Sequence, residues 1–145
     1  MKLVRLARDN WEVLTVLDVR DRCEVLEFLF TPGESYRIAA MAMLHLLFEV
    51  IPKNGPPTSE PLCKSLGNSL YELRKQPKGK KLRVVWFYGG GSVIVCTSAF
   101  TKAERTPQNQ LSHAAALREW YFASKARDRI KIVELKETRW PRPMF

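Results

Sequence analysis

The chain is poor in the residues that bind metals or form covalent staples. Its three cysteines, Cys23, Cys63 and Cys96, stand far apart, are odd in number and include no C-x-x-C pair. That argues against a disulfide framework and a zinc site and fits a reducing compartment. Two histidines, His45 and His113, are too few for a His-rich metal centre, so neither metal nor cofactor is expected. No uninterrupted apolar run approaches the ~20 residues of a membrane span, and the opening MKLVRLAR lacks the apolar centre of a secretion signal. Repeats and low-complexity tracts are absent. The expectation is a soluble, cytoplasmic protein with no membrane partner.

Acidic residues are scarce in the second part of the chain. Residues 1–60 carry seven Lys/Arg against nine Asp/Glu, net −2, whereas residues 61–145 carry seventeen against six, net +11. Such polarity implies a basic surface for an anionic partner, weighed against a merely solvated face. A length of 145 residues with 46% hydrophobic and 27% charged residues is that of one globular domain. A tail from about residue 127 is a possible addition.

What is present can be read as alternating elements. Residues 11–19 (WEVLTVLDV) form a first strand by their β-branched and aromatic content. Residues 22–30 place Val25, Leu26 and Leu29 at helical spacing. Thr31-Pro32-Gly33-Glu34 reads as a capping box opening a helix that runs to Ile51, where Pro52 disfavours continuation. Residues 52–61, with four prolines, are a connector. Strands follow at 70–74, 82–88 and 92–100, the last two joined by a tight hairpin at Gly89-Gly90-Gly91. That turn lacks the following Lys-Ser/Thr of a phosphate-binding loop. Thr106-Pro107 caps a helix over 107–126, and 130–135 can add a strand. The order is β-α-α-β-β-β-α: an α+β fold with a small twisted, mostly antiparallel sheet and helices packed on one face.

Period-two alternation then assigns faces. Arg83, Val85 and Phe87 point one way, and Val84, Trp86 and Tyr88 the other. Leu70, Glu72 and Arg74 share a face, so Glu72, Arg74 and Arg83 meet in one neighbourhood. From Arg74 to Arg83 inclusive there are six basic residues and no acid, a concentration suited to phosphates. Trp86 and Tyr88 read as core rather than as base-stacking residues, His45 as structural, His113 as solvated, and the cysteines as small buried hydrophobes.

Four motifs carry a resemblance. W-E-V-L at 11–14 and L-x-x-x-L-Y-E-L-R at 66–74 come first, then L-R-V-V-W-F at 82–87 and F-T-K-A-E-R-T-P at 100–107. In this order and spacing the chain resembles the HigB-like, phage-derived branch of the RelE/ParE toxin superfamily, whose patterns are Leu-Trp-Glu-Leu-Arg, Tyr-Arg-Val-Leu-Tyr-Phe and Phe-x-Lys-Lys-x-x-x-Thr-Pro. The resemblance implies a RelE-like fold and a toxin that cuts messenger RNA, commonly at the ribosome. It also implies a helix-turn-helix antitoxin as partner. The implied site is Arg83 as phosphate clamp, flanked by Arg74 and Lys102. Glu72 would act as base or orient an arginine, with orientation favoured. Lys75, Lys78, Lys80, Lys81 and Arg105 would hold neighbouring phosphates. Ala103 stands where the family has a second lysine. Tyr121 and His113 are the candidates for a proton donor or acceptor near the last helix. Two alternatives stay open: a ParE-type toxin that binds DNA gyrase without catalysis, and a decayed phage remnant that only binds antitoxin or RNA.

Overall fold

The computed structural model describes residues 1–75, 79–101 and 106–145. Lys78, Lys102, Ala103 and Arg105 therefore lie outside the described residues. Seven strands form one sheet: β1 Lys2–Arg8, β2 Glu12–Leu17, β3 Cys63–Gly67, β4 Leu70–Lys75, β5 Leu82–Tyr88, β6 Val93–Thr101 and β7 Lys131–Glu134. Their order is β3-β4-β5-β6-β2-β1-β7. Four neighbouring pairs are antiparallel, while β2 pairs β6 and β1 pairs β7 in parallel. The helices are α1 Glu24–Phe30, α2 Arg37–His45, α3 Ile51–Asn54 and α4 Gln108–Ala126. This is an α+β fold with a mostly antiparallel sheet, as the strand pattern implied.

Alternation along the strands builds two cores. On one face Val4, Leu6, Val13, Val84, Trp86, Ile94 and Cys96 pack against α1 and α2 through Val25, Leu26, Met43 and Leu47. Trp86 is fully buried and stacks on Tyr71 at 4.9 Å, with Tyr88 edge-on at 4.8 Å. These aromatics belong to the core, as expected. On the other face Leu3, Leu14, Val85, Phe87 and Val95 pack against Ala114 and Tyr121 of α4. The helices thus occupy both faces rather than one. Val85, Phe87 and Val95 need an apolar cover, and α4 supplies it with few large residues because Phe87 and Tyr121 meet edge to face at 5.4 Å.

Three local expectations change. β1 and β3 were not read from sequence: MKLVRLAR serves as a strand flanked by β2 and β7. Thr31 does not open a helix but closes α1, donating its hydroxyl to the Glu27 carbonyl. Helical structure begins instead with a 3₁₀ turn at Glu34–Tyr36, passes through α2 into a π-helical segment at Leu46–Val50, and continues in α3. Pro52 lies inside this run. In the π segment the Ile51 N–H reaches back to Leu46, and this wider register absorbs a proline that an α-helix would not.

The stretch Glu34–Asn54, with 21 residues and a mean hydropathy of 1.2 over its most apolar 18-residue window, is by length and composition long enough to cross a membrane. Counting only uninterrupted apolar runs missed it, because His45 and Glu49 divide the sequence. Half of its most apolar window is buried inside the protein. After β7 the tail crosses the helical layer, with Trp140 buried, Arg139 on Glu27 at 2.5 Å and Arg142 on Glu49 at 3.1 Å.

The connection from α3 depends on close contact. Gly55 has φ +80°, and a Cβ there would lie 2.8 Å from Trp11 Nε1. Trp11 is itself pinned by its N–H to the Pro52 carbonyl at 2.9 Å. Gly55→Ala is expected to lower unfolding free energy by about 2 kcal/mol in urea titration, from backbone strain plus the clash.

All three cysteines are free and buried. Cys23 caps α1 by accepting the Leu26 N–H at 3.4 Å, and burial pushes its thiol up to about 11. The Cys96 thiol is pushed up by the same cause. The unfolded thiols ionise first, so their contribution is complete below the ordinary value of 9.0 and is lost as pH rises toward 11. Chemical denaturation at stepped pH is expected to show stability falling across that window. Ellman's reagent is expected to leave the native thiols unmodified at pH ~8.

Candidate nucleic-acid interface

Glu72 lies on β4 opposite Val85 of β5, on the sheet face that α4 covers. Its side chain is wholly buried. One carboxylate oxygen, Oε1, accepts Arg74 Nε at 2.9 Å and lies 3.3 Å from Arg83 Nη1. The other, Oε2, accepts the Thr106 hydroxyl, which precedes α4. Sequence alternation placed Glu72, Arg74 and Arg83 together, and the structure does so. It also adds a member that the sequence assigned elsewhere. Thr106 reads as a helix cap, yet Pro107 occupies that position without a side-chain cap and the threonine hydroxyl goes to Glu72. No local pattern signals that contact.

The register explains the arrangement. Arg74 and Arg83 are direct cross-strand partners, and like charges so placed repel. A single carboxylate shared between them relieves the repulsion and leaves the trio with one surplus positive charge. The two arginines differ in access: the side chain of Arg74 is 22% exposed and also lies 3.6 Å from Glu60, whereas that of Arg83 is 5% exposed. Arg83 meets Glu72 at ion-pair distance but without hydrogen-bond geometry, so Nη1 has no hydrogen-bond partner among the described residues. The Ser98 hydroxyl, across from Val85, and Gln110 Oε1 of α4 are likewise buried without a partner.

Other expected residues lie apart from this trio. Lys80 and Lys81 are exposed, and Lys80 Nζ sits 5.7 Å over the Tyr36 ring, on the 3₁₀ turn before α2. Lys75 is half-buried opposite Leu82. Tyr121 is buried and donates its hydroxyl to the Gly89 carbonyl at 2.8 Å, beside Lys125 Nζ at 2.9 Å. Burial raises that phenol's pKa. Gly89 follows the far end of β5, so Tyr121 serves as a brace and not as an acid or base for the arginine pair. His113 is exposed and lies 3.2 Å from Glu24. His45 is exposed, edge-on to Phe145 at 5.1 Å. Among the described residues no three His, Cys, Asp or Glu side chains gather as a metal site.

Removing the shared carboxylate leaves two opposed cations, one of them buried. Glu72→Gln is expected to cost about 3 kcal/mol of unfolding free energy, as for a buried pair stripped of one partner. Thr106→Val is expected to cost about 1 kcal/mol, the net value of one hydrogen bond. In a urea double-mutant cycle the double variant should lose less than the sum of the two single losses, since both act on one carboxylate.

No curated protein matches the chain. The family model for Phage derived protein Gp49-like (DUF891) matches residues 34–119. The matched span runs from the 3₁₀ turn before α2 into α4 and includes Glu72, Arg74, Arg83 and Thr106. With more than half of its length in that match, the chain belongs to the phage-derived Gp49-like family, a toxin-like family of toxin–antitoxin systems.

Proposed function

We propose that this protein is the toxin of a toxin–antitoxin pair and acts in the cytoplasm as a metal-independent endoribonuclease on messenger RNA, at or near the ribosome. Its antagonist would be a helix-turn-helix antitoxin. The observation that carries the reading is the convergence of Arg74 and Arg83 on the one buried carboxylate of Glu72, with Arg83 Nη1 left without a hydrogen bond among the described residues. A surplus guanidinium charge held in place is suited to a phosphate, which it binds in bidentate fashion.

In this reading the RNA supplies its own nucleophile. The 2′-oxygen bonds to the adjacent phosphorus and the P–O5′ bond breaks, leaving a 2′,3′-cyclic phosphate and a 5′-hydroxyl. The 2′-hydroxyl proton passes to solvent and the departing 5′-oxygen takes one back. Charge grows on the phosphorane, where pre-positioned cations act most strongly. Arg74, the more accessible arginine, meets the phosphate, and Arg83 supports it from beneath. Both oxygens of Glu72 are engaged, so it is a positioning residue and not the base. In this reading Lys75, Lys80 and Lys81 hold flanking backbone, and Lys78, Lys102 and Arg105, outside the described residues, are proposed for the same role.

Two observations favour the non-catalytic alternative, in which the protein arrests growth by binding gyrase or another partner. Arg83 is nearly inaccessible, and neither histidine lies with the trio. Expression of wild type, Arg74→Ala and Arg83→Lys in bacteria, with messenger 5′ ends mapped within minutes, separates the two. New cuts in coding frames, reduced about a hundredfold in both variants, are expected. Growth arrest without cuts would support the binder. Charge-neutral substitution of Lys75, Lys80 and Lys81 is expected to lower the slope of log affinity against log salt for single-stranded RNA by about 0.7 per lost contact. An unchanged slope would remove these lysines from the interface.

A further inference from the structure

A cavity of about 950 Å³ lies between the end of β1 and the C-terminal tail, at the edge of the sheet remote from β4. It is built from Arg5–Arg8 and from residues 134–142, all outside the span that matches the family. Its floor is aliphatic and aromatic: Leu6, Ala7, Leu135 and Trp140. Its rim is basic, with Arg5, Arg8, Lys136, Arg139 and Arg142 against Glu134.

The rim cations already show which anion they accept. Arg5 holds the carboxylates of Glu12 and Glu134, Arg139 holds Glu27 and Arg142 holds Glu49. Arg8 and Lys136 are exposed and have no ion-pair partner among the described residues. The wall they stand on is stiff. Glu134 and Glu137 form a reciprocal capping box around the 3₁₀ turn Leu135–Glu137, and the Thr138 hydroxyl donates to the Leu135 carbonyl at 2.6 Å. A groove preformed in this way loses little entropy when filled.

We propose that this groove docks an acidic amphipathic segment of a partner protein, setting apolar side chains against half-buried Ala7 and the edge of Leu135 and carboxylates on Arg8 and Lys136. Two features favour a protein segment over RNA. The floor offers no open aromatic face for a base, because Trp140 is 7% exposed and the Arg139 guanidinium covers its ring at 4.7 Å. Three of the five rim cations are already satisfied by carboxylates. The inference is independent of the ribonuclease reading, since none of its residues belongs to that site.

The test uses the full chain and a fluorescein-labelled synthetic helix with leucines at i, i+3, i+4 and i+7 flanked by glutamates, followed by anisotropy at ~150 mM salt. Saturable binding is expected, with movement of the Trp140 indole resonance. It should weaken about tenfold in Arg8→Glu/Lys136→Glu, a rim change that leaves the melting temperature unaltered. A peptide with glutamine for glutamate should bind weakly. Absence of saturable binding, equal binding by the charge-reversed protein, or equal binding by the glutamine peptide would overturn the proposal. So would polyuridylate binding that falls in the charge-reversed protein while peptide binding does not, an outcome that assigns the groove to nucleic acid.

Discussion

The structure turns on one buried carboxylate. Glu72 sits wholly inside the protein between two arginines that the β4–β5 register forces to face each other. Without it the hairpin would hold two like charges side by side, one of them buried. With it the hairpin has a net positive centre whose geometry is set by the ladder itself. The same carboxylate reaches out of the sheet to Thr106 and so ties the entry of α4 to the strands. A group that joins two strands and a helix is worth more than its pairwise contacts, because each partner restrains the others.

That tie is matched at the other end of the helix. Tyr121 and Lys125 both donate to the Gly89 carbonyl at the turn after β5. α4 is therefore held near both ends by polar contacts, to β4 at its entry and to the β5–β6 turn near its exit, and Ala114 and Tyr121 fill the apolar distance between. A helix with modest apolar content can be placed in this way, since polar anchors set its position and burial supplies the remaining stabilisation. The opposite layer works differently. α1 and α2 bury large aliphatic side chains against Trp86 and its neighbours and need few polar ties.

The basic charge of the second part of the chain divides into separate places. One is the arginine pair at β4–β5, where the family motif lies. Another is the rim of the groove formed by the tail at the opposite edge of the sheet, outside that motif. Lys80 reaches to the Tyr36 ring on the helical side. A net charge read from composition describes none of this division.

The alternation of β4 and β5 determined, from sequence alone, that Glu72, Arg74 and Arg83 share a face and that Trp86 turns to the core, because side-chain direction in a strand depends only on parity. The hairpin at Gly89–Gly91 and the last helix were legible for equally local reasons. Only the tertiary structure decided which face α4 would cover, since both faces of the sheet carry apolar rows. It turned Thr106 from a helix cap into a partner of Glu72, and Tyr121 from a candidate acid or base into a brace. It recruited MKLVRLAR as a strand, whose pairing partners lie near in β2 and far away in β7. It carried a helix through Pro52 by widening one turn. The burial of Arg83 belongs with these. Parity gives a side chain its direction, but how much protein lies over it depends on elements distant in sequence.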